Sequence, residues 1–578
     1  MKLKLKILLS RKSLNKITLF PFFLSLLFSQ ISFVNELEAR YGTSENEYDY
    51  SEIFFDSRLI LQNTDFMIEG LLSIEQSSPP EIGLDEKGLR KFSLAYYTDY
   101  WSVELGDIYQ TWGRGLILNQ ADYQNLDFDT GSRGFNFLWN KNNHSINFIY
   151  GDTSISQSTT VLGNYNPRSP NYFINQSIYG LDYSRSLNDL NYGVSLLSIE
   201  NENNSNEHLL TNLRFEKFYN KGEMYFSFAH KESEINTQKN DRGNGFYFSN
   251  INFSDKWTFV TNYRRYRFDI QNPINKSNIV NNHARALDLQ QSPTGYYQHN
   301  FKLLSRNSKQ VNLNDEVGIE LELARSFKNS NTLVINYIKS SSTTGWHFNE
   351  NSVWQREPLT TTFGTSNSLF PTNDKDSYPY DEIFIELNGY DKSQNIFYSV
   401  GFDFFYDTFA VLNNSDTREV FEVNRAITLP LLLNISLNEI WNIEMQIEMQ
   451  RAQKGFELKN ENESSFSSIF NTKYQYNNYL SLSANFKQKW TFSLSHERTN
   501  ADESLIGEGS DIIDLSNSWN SFSIGYKFDS DDSLQVFYGS LRGGLDCTNG
   551  VCRYIQSCLL YTSPSPRDLS TSRMPSSA

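Results

Sequence analysis

A transmembrane β-barrel, all-β, antiparallel and up-and-down, with about 22 strands (20–24), is the fold class this sequence predicts. Three observations predict it. The first is composition: hydrophobic residues make up only 38% of 578 and mean hydropathy is −0.53, yet aromatics reach 15%, with 34 Tyr and 43 Phe. A soluble core of this size is normally richer in aliphatics, and a disordered chain is poor in aromatics. A barrel fits both numbers, because alternate residues meet lipid and water and aromatic girdles sit at its two interfaces. The second is a sequence period of two, and the third an alternation of long and short polar connections.

Taken in chain order, the first element is an export signal. Lys2, Lys4, Lys6, Arg11, Lys12 and Lys16 precede the apolar run "ITLFPFFLSLLF" (17–28), which has the charge and length of a secretory signal. An uncleaved anchor helix is the alternative, and the run falls short of the roughly 20 residues a span needs. With cleavage near Ser29 or Ser32, the layout is signal peptide 1–29, periplasmic lead-in 30–50, barrel 51–556 and tail 557–578. Loss of the six positive charges takes the formal net charge from −16 to −22. Such acidity argues against nucleic acid as a partner, although acidic outward loops also simply keep a surface hydrated.

The strands follow from periodicity. In "WNIEMQIEMQ" (441–450), Trp441, Ile443, Met445, Ile447 and Met449 fall on one face and Asn442, Glu444, Gln446, Glu448 and Gln450 on the other. A helix would scatter both sets around its circumference, so the period outweighs the helix propensity of Met, Glu and Gln. "EVGIELEL" sets Val317, Ile319, Leu321 and Leu323 against Gly318, Glu320 and Glu322, and "SFSIGYKF" (521–528) alternates in the same way. "NIFYSVGFDFFYD" (395–407) has a wholly apolar face of Ile396, Tyr398, Val400, Phe402, Phe404 and Tyr406. The stretch 51–61 reads equally as a first strand or as part of the lead-in.

Short polar links at 98–100, 140–143, 328–331, 391–394, 436–439 and 530–533 alternate with long polar stretches at 152–176, 232–242, 269–295, 341–380, 407–419, 452–468 and 498–518. Tight periplasmic turns and long extracellular loops have that asymmetry, whereas a soluble sandwich has no reason to collect its long loops at one end. The apparent strand 296–306 would put two short links in succession, so 269–314 reads as one extracellular excursion containing it.

Near the end, Cys547 and Cys552 flank Asn549 and Gly550, a spacing that suits a disulfide-closed hairpin loop in an oxidising compartment; two free thiols are the alternative. From 557 to 578 alternation stops, Ser, Pro and Thr dominate, and the tail resembles translated sequencing-adapter read-through. The natural chain is therefore expected to differ after about Gln556, with its closing strand absent from this sequence.

"GDIYQTWGRGLILNQADYQNLDFDTGSRGFNF" (106–137), "NDEVGIELEL" (314–323) and "YGSLRGGLDCTNGVCRYI" (538–555) resemble hallmark stretches of an uncharacterised family of Gram-negative outer-membrane barrels, a domain-of-unknown-function family. The resemblance implies the fold and the outer membrane as location; for such a barrel, membrane lipid and, during biogenesis, the barrel-assembly machinery are the expected partners. It implies no substrate.

The first of these stretches carries the candidate site. Gly113 and Gly115 permit close backbone approach or a bulge, and Arg114 between them belongs inside, because a charge facing lipid at mid-depth costs roughly 2 to 4 kcal/mol. Asp107, Asp122, Asp127, Asp129 and Arg133 lie close in sequence and are expected to pair with Arg114 and pin the segment within the pore. The set Asp107, Tyr109, Trp112, Arg114, Asp127, Asp129 and Arg133 then forms a constriction, with Tyr109, Trp112 and Tyr123 as stacking surfaces; holding an infolded loop in place is the plainer role for the same pairs.

Catalysis is not expected. Outer-membrane phospholipases share an H-x-S-N-G stretch, whereas "NHSIN" puts Ser145 directly after His144, on the opposite strand face. His208, His230, His283, His299, His347 and His496 sit in no recognisable nucleophile or metal spacing, and no nucleotide-binding fingerprint appears. Neither a metal nor a cofactor is expected, and the strands begin too soon after the signal to leave room for a separate plug domain. Two functions remain: a channel or transporter for small polar solutes, or a closed barrel that acts as a binding or assembly platform through its loops.

Overall fold

The computed structural model describes residues 30–562, apart from 45–48, 79–86, 124–127, 158–171, 202–206, 236–237, 269–286, 349–353, 358–368, 411–419, 460–465, 471–473, 502–504, 507–511, 514–516, 529–531, 549–550, 556–557 and a few further positions within the longer connections. The expected signal peptide and Asp127 lie outside the described residues. A single antiparallel sheet of 25 strands dominates the chain; two are the five-residue segments Phe466–Phe470 and Cys558–Thr562, leaving 23 long strands. Each long strand pairs with its predecessor in sequence order, an up-and-down arrangement. No helix among the described residues is long and apolar enough to cross a membrane.

The short connections are tight turns at one end of the sheet, and several need a left-handed backbone. Asn142 and Asn143 have φ of 51° and 64°, and Lys487 and Gln488 have 53° and 56°, as the twist of two-residue hairpins requires. In the 391–395 turn, the Asp391 carboxylate accepts the backbone N–H groups of Asn395 at 2.9 Å and Ile396 at 3.0 Å, along with the Ser393 hydroxyl.

Residues 30–44, expected to lie before the barrel, form a strand that pairs along its length with Asp49–Gln62, from Gln30↔Gln62 to Thr43↔Asp49. Its charges conceal the pattern: Glu38 is buried on the inner face, where Arg40 Nε donates to it at 2.8 Å, while Leu37 and Tyr41 are exposed on the outer face. The apparent strand at 296–306 is instead a single helical turn, Lys302–Ser305. The expected hairpin near the C-terminus forms, with Cys547 opposite Cys552; the side chains of both, and with them the expected disulfide, lie outside the described residues. Gln30–Ser44 and Ser533–Leu541 do not pair with each other. Cys558–Thr562 lies between them, matching Arg40↔Thr562 to Ser44↔Cys558 on one side and Gly539↔Leu560 to Leu541↔Cys558 on the other, so the sheet is not closed along the rest of these edges.

The two faces of the sheet differ. The outer face is apolar and open: Leu105, Val194, Leu196, Val400, Leu429, Met449, Leu494 and Val536 are all exposed. Next to the short turns it turns aromatic, with Trp101, Trp257, Trp441, Trp490 and Phe528 exposed. Many of these rings meet a partner on a neighbouring strand, as Trp441 does Phe486 at 4.7 Å and Trp490 does Tyr526 at 4.4 Å. The inner face carries the polar alternates; Asn212, Arg214, Glu320, Asn336, Glu448 and Gln450 are buried there. In Trp441–Lys459 this is the expected register, with Met449 53% exposed and Glu448 0%.

Candidate functional site

Two of the long connections fold back against the inner face, and together they build the site. The first, residues 109–131, leaves the strand Trp101–Ile108 and makes a hairpin-like tip: Trp112 N–H donates to Leu118 O at 3.0 Å, Gly115 N–H to Trp112 O at 3.1 Å, and Thr111 bridges Asn119. Gly113 and Gly115, at φ 60° and 83°, supply the left-handed backbone this tip needs. A Cβ on Gly113 would also lie 2.8 Å from Arg214 Cδ and 2.9 Å from Tyr225 Oη, so the backbone itself packs against the wall.

The tip is mainly apolar. Trp112, Leu116, Ile117 and Leu118 are each at most 4% exposed and pack in one cluster with Ile149, Ile178, Leu197, Ile199, Leu210 and Ala229 on the sheet. At roughly 1.5–3 kcal/mol for each large side chain taken from water, this contact holds the segment more firmly than any of its ion pairs. Trp112 is keyed at both ends of its ring: Nε1 donates to Asn147 Oδ1 at 2.8 Å, and a Cβ on Gly180 would come within 2.5 Å of its Cη2.

The second segment, from Leu287 to Asp315, interlocks with the first. Asn119 N–H donates to Leu289 O at 2.8 Å, and Gln290 Nε2 donates to Leu116 O at 3.2 Å. It is then fastened across the inner face. Glu448 receives the Lys302 and Leu303 N–H groups at 2.6 and 2.8 Å, Lys309 pairs with Asp407 at 2.6 Å, and Arg306 pairs with Glu497. Phe301, Leu304 and Phe384 form a smaller buried cluster beneath it.

With this geometry established, the comparisons decide the family. Residues 79–558 match the "Family of unknown function (DUF6029)". The chain belongs to that family. The three stretches whose resemblance implied such a family all fall within the match. None of the curated proteins matches the chain. Solved structures similar to this DUF6029 chain include OpdK of Pseudomonas aeruginosa with vanillate, at 8% identity over 79% of this chain and 98% of that one, TM-score 0.31. The translocation pore of the P pilus usher PapC is similar at 9% identity over 92% and 98%, TM-score 0.37. The outer-membrane transporter YddB of Escherichia coli is similar at 9% identity over 91% and 80%, TM-score 0.39.

The residues expected to form one constriction separate in this DUF6029 chain. Arg114 pairs with none of the nearby aspartates; its Nη2 lies 3.1 Å from Glu223 and 3.5 Å from Glu216, and its guanidinium sits 4.1 Å over the Tyr225 ring. The turn at Gly113 and Gly115 aims it at strands on which the local sequence is silent. Asp107 and Arg133 pair with each other at 3.0 Å, in register across two strands and on the same face as Leu105 and Phe135, so neither faces the inner segments. Trp112 is too enclosed to offer a stacking surface.

Tyr109 and Asp129 do stay together, in a second cluster at the base of the first segment. Tyr109 Oη donates to Asp129 at 3.1 Å, and Lys91 pairs with Asp129 at 2.9 Å and with Asp122. Burial, then the Asp129 and Asp122 carboxylates, push the Tyr109 phenol far up. Burial opposes ionisation of Asp122, but the Lys91 ammonium and the Arg90 guanidinium outweigh it and hold its carboxyl below the usual range. This base is a charged clamp on the segment.

Sequence spacing also passed over His299, Glu382 and Asp403, which bring one potential ligand atom each to within 4.8 Å of one another. They lie far apart in the chain, and only the period-2 pattern that turns Glu382 and Asp403 inward hinted at them.

Proposed function

We propose that this protein closes as a β-barrel in the outer membrane of a Gram-negative bacterium and serves as a channel or transporter for small polar solutes, narrowed by its two infolded segments. The observation that carries the reading is the contrast between faces: an exposed apolar outer face with aromatics at the short-turn ends, and a polar inner face. In water such an outer face would be a large aggregation liability; against lipid it is the expected surface, with the aromatics at the interface. The segment 109–131 then stands across the lumen as a constriction, with Arg114 facing Glu216 and Glu223 at its inner edge. Tyr109 and Asp129 hold the base of that segment.

A second reading draws on the apolar contact between the Trp112–Leu118 tip and the wall, which excludes water and favours a closed barrel used as a platform through its outward loops. Conductance in planar bilayers separates the two. The channel reading expects small, discrete openings from the purified chain and larger ones when residues 112–118 are replaced by a flexible Gly/Ser linker. A parent chain that inserts but stays silent, with openings only in the linker variant, would establish the closed platform instead.

A further inference from the structure

We propose that His299, Glu382 and Asp403 bind one divalent transition-metal cation of the Zn2+ or Mn2+ type, which ties the second infolded segment to the sheet. Glu382 and Asp403 come from the inner faces of adjacent strands, Tyr380–Tyr390 and Ile396–Ala410, one step apart diagonally, since Asp403 lies opposite Phe384 and Glu382 opposite Phe405. His299 descends on them from the infolded segment. All three are enclosed: the side chains of His299 and Glu382 are 3% and 7% exposed, and Asp403 is 1% exposed.

The hydrogen bonds leave a need for a ligand. His299 Nε2 lies 2.6 Å from Glu382 Oε1, and Tyr380 Oη donates to Glu382 Oε2 at 2.7 Å. Asp403 Oδ1 and His299 Nδ1, both buried, have no hydrogen-bond partner, a condition that costs free energy in a dry interior. No Lys or Arg pairs with Glu382 or Asp403 among the described residues, and Lys309, which approaches the Tyr380 ring at 5.5 Å, is engaged by Asp407. Two carboxylates are therefore shut in with one imidazole. A divalent cation neutralises both carboxylates while the imidazole stays neutral.

The donor set selects the class of metal. One nitrogen and two carboxylate oxygens suit borderline cations at about 2.0–2.2 Å, whereas Ca2+ requires six to eight oxygens. Three protein donors leave a position for water. Ligand atoms now within 4.8 Å of one another need to close to about 3.4 Å around a tetrahedral ion, a shift within reach of side-chain rotation. The Tyr380 hydroxyl orients Glu382 from outside, and the Phe384 ring meets the imidazole edge-on at 4.6 Å, so the supporting contacts of a metal site are in place.

The test uses the full chain, purified in detergent, stripped with chelator and titrated calorimetrically with Zn2+. One Zn2+ per chain is expected, with affinity reduced at least about tenfold in Asp403→Asn and His299→Gln and unchanged in Asp391→Asn, which alters an exposed turn carboxylate. Chelator should also lower the temperature at which the folded band is lost in heat-modifiable electrophoresis. A folded parent chain that takes up neither Zn2+ nor Mn2+ stoichiometrically overturns the proposal, as does undiminished binding by both variants. Should the variants fail to fold, Co2+ loaded into the parent decides: visible d–d bands of nitrogen and oxygen ligation support the site, and their absence refutes it. Conductance enters no arm of this test, so the metal site and the channel stand or fall separately.

Discussion

Arg114 shows how far a side chain's role depends on backbone that its neighbours in sequence do not reveal. The aspartates beside it are the natural partners by proximity in the chain, but two left-handed glycines turn it toward Glu223, 109 positions away. The three side chains of this cluster, Arg114, Glu216 and Glu223, are 29%, 25% and 19% exposed, so water screens their attraction. Arg114→Ala should therefore cost only about 1 kcal/mol in stability, the lost Tyr225 contact included. Trp112→Phe should cost about 1–2 kcal/mol, because it leaves the buried Asn147 oxygen without its donor. Midpoints of heat-modifiable mobility measure both, and an Arg114→Ala loss exceeding that of Trp112→Phe would contradict this ranking.

Among elements, the strands were legible, the first infolded segment was expected to fold inward but with other partners, and the second read as an outward excursion. Strands such as Trp441–Lys459 declare themselves because one face must differ from the other along their whole length. Gln30–Ser44 escaped notice because its inner face carries Glu36, Glu38 and Arg40, which read as a polar leader until Glu52 and its neighbours stand beside them. The segments 109–131 and 287–315 have no periodicity to read; their apolar residues look like loop residues until the wall that covers them is known. The turns are a further case. Lys487 and Gln488 occupy a left-handed conformation that costs a side chain roughly 1 kcal/mol or more, so Gln488→Gly should stabilise the hairpin by about 0.5 kcal/mol, and a loss of stability would show that this turn relaxes differently. In the 391–395 turn, the Ser393 hydroxyl and then the surrounding backbone N–H groups hold the Asp391 carboxyl below its usual range. A depressed folded value means that this contribution is complete above the unfolded pKa of about 3.9 and is lost as pH falls through the folded value. Asp391→Asn should thus flatten the acid limb of stability below about pH 4, and a variant as acid-sensitive as the parent would refute the link.

For the molecule as a whole, charge is distributed by face. The inner face near the short turns carries Glu69, Glu104, Glu320, Glu322, Glu386 and Glu444, and Arg58, which pairs with Glu69 at 3.0 Å, answers only part of that charge. A low-dielectric wall focuses the field of such carboxylates on an ion path, so an open pore should prefer cations. Reversal potentials in a salt gradient check this, and anion preference would exclude these carboxylates from the conduction path. Charges in the long connections, beyond a Debye length of about 8 Å, contribute little.

The hydrogen bonds between Asn119 and Leu289 and between Leu116 and Gln290 also set an order of events in folding. They join positions up to 174 residues apart, and such distant contacts form late because the intervening chain must first be ordered. The strands from His144 to Arg267 have to be paired and curved before the first segment has a wall to meet, and the chain through Leu289 has to arrive before that segment is locked. The apolar contact between the Trp112–Leu118 tip and the wall can thus be completed, and its water expelled, only after those strands are in place.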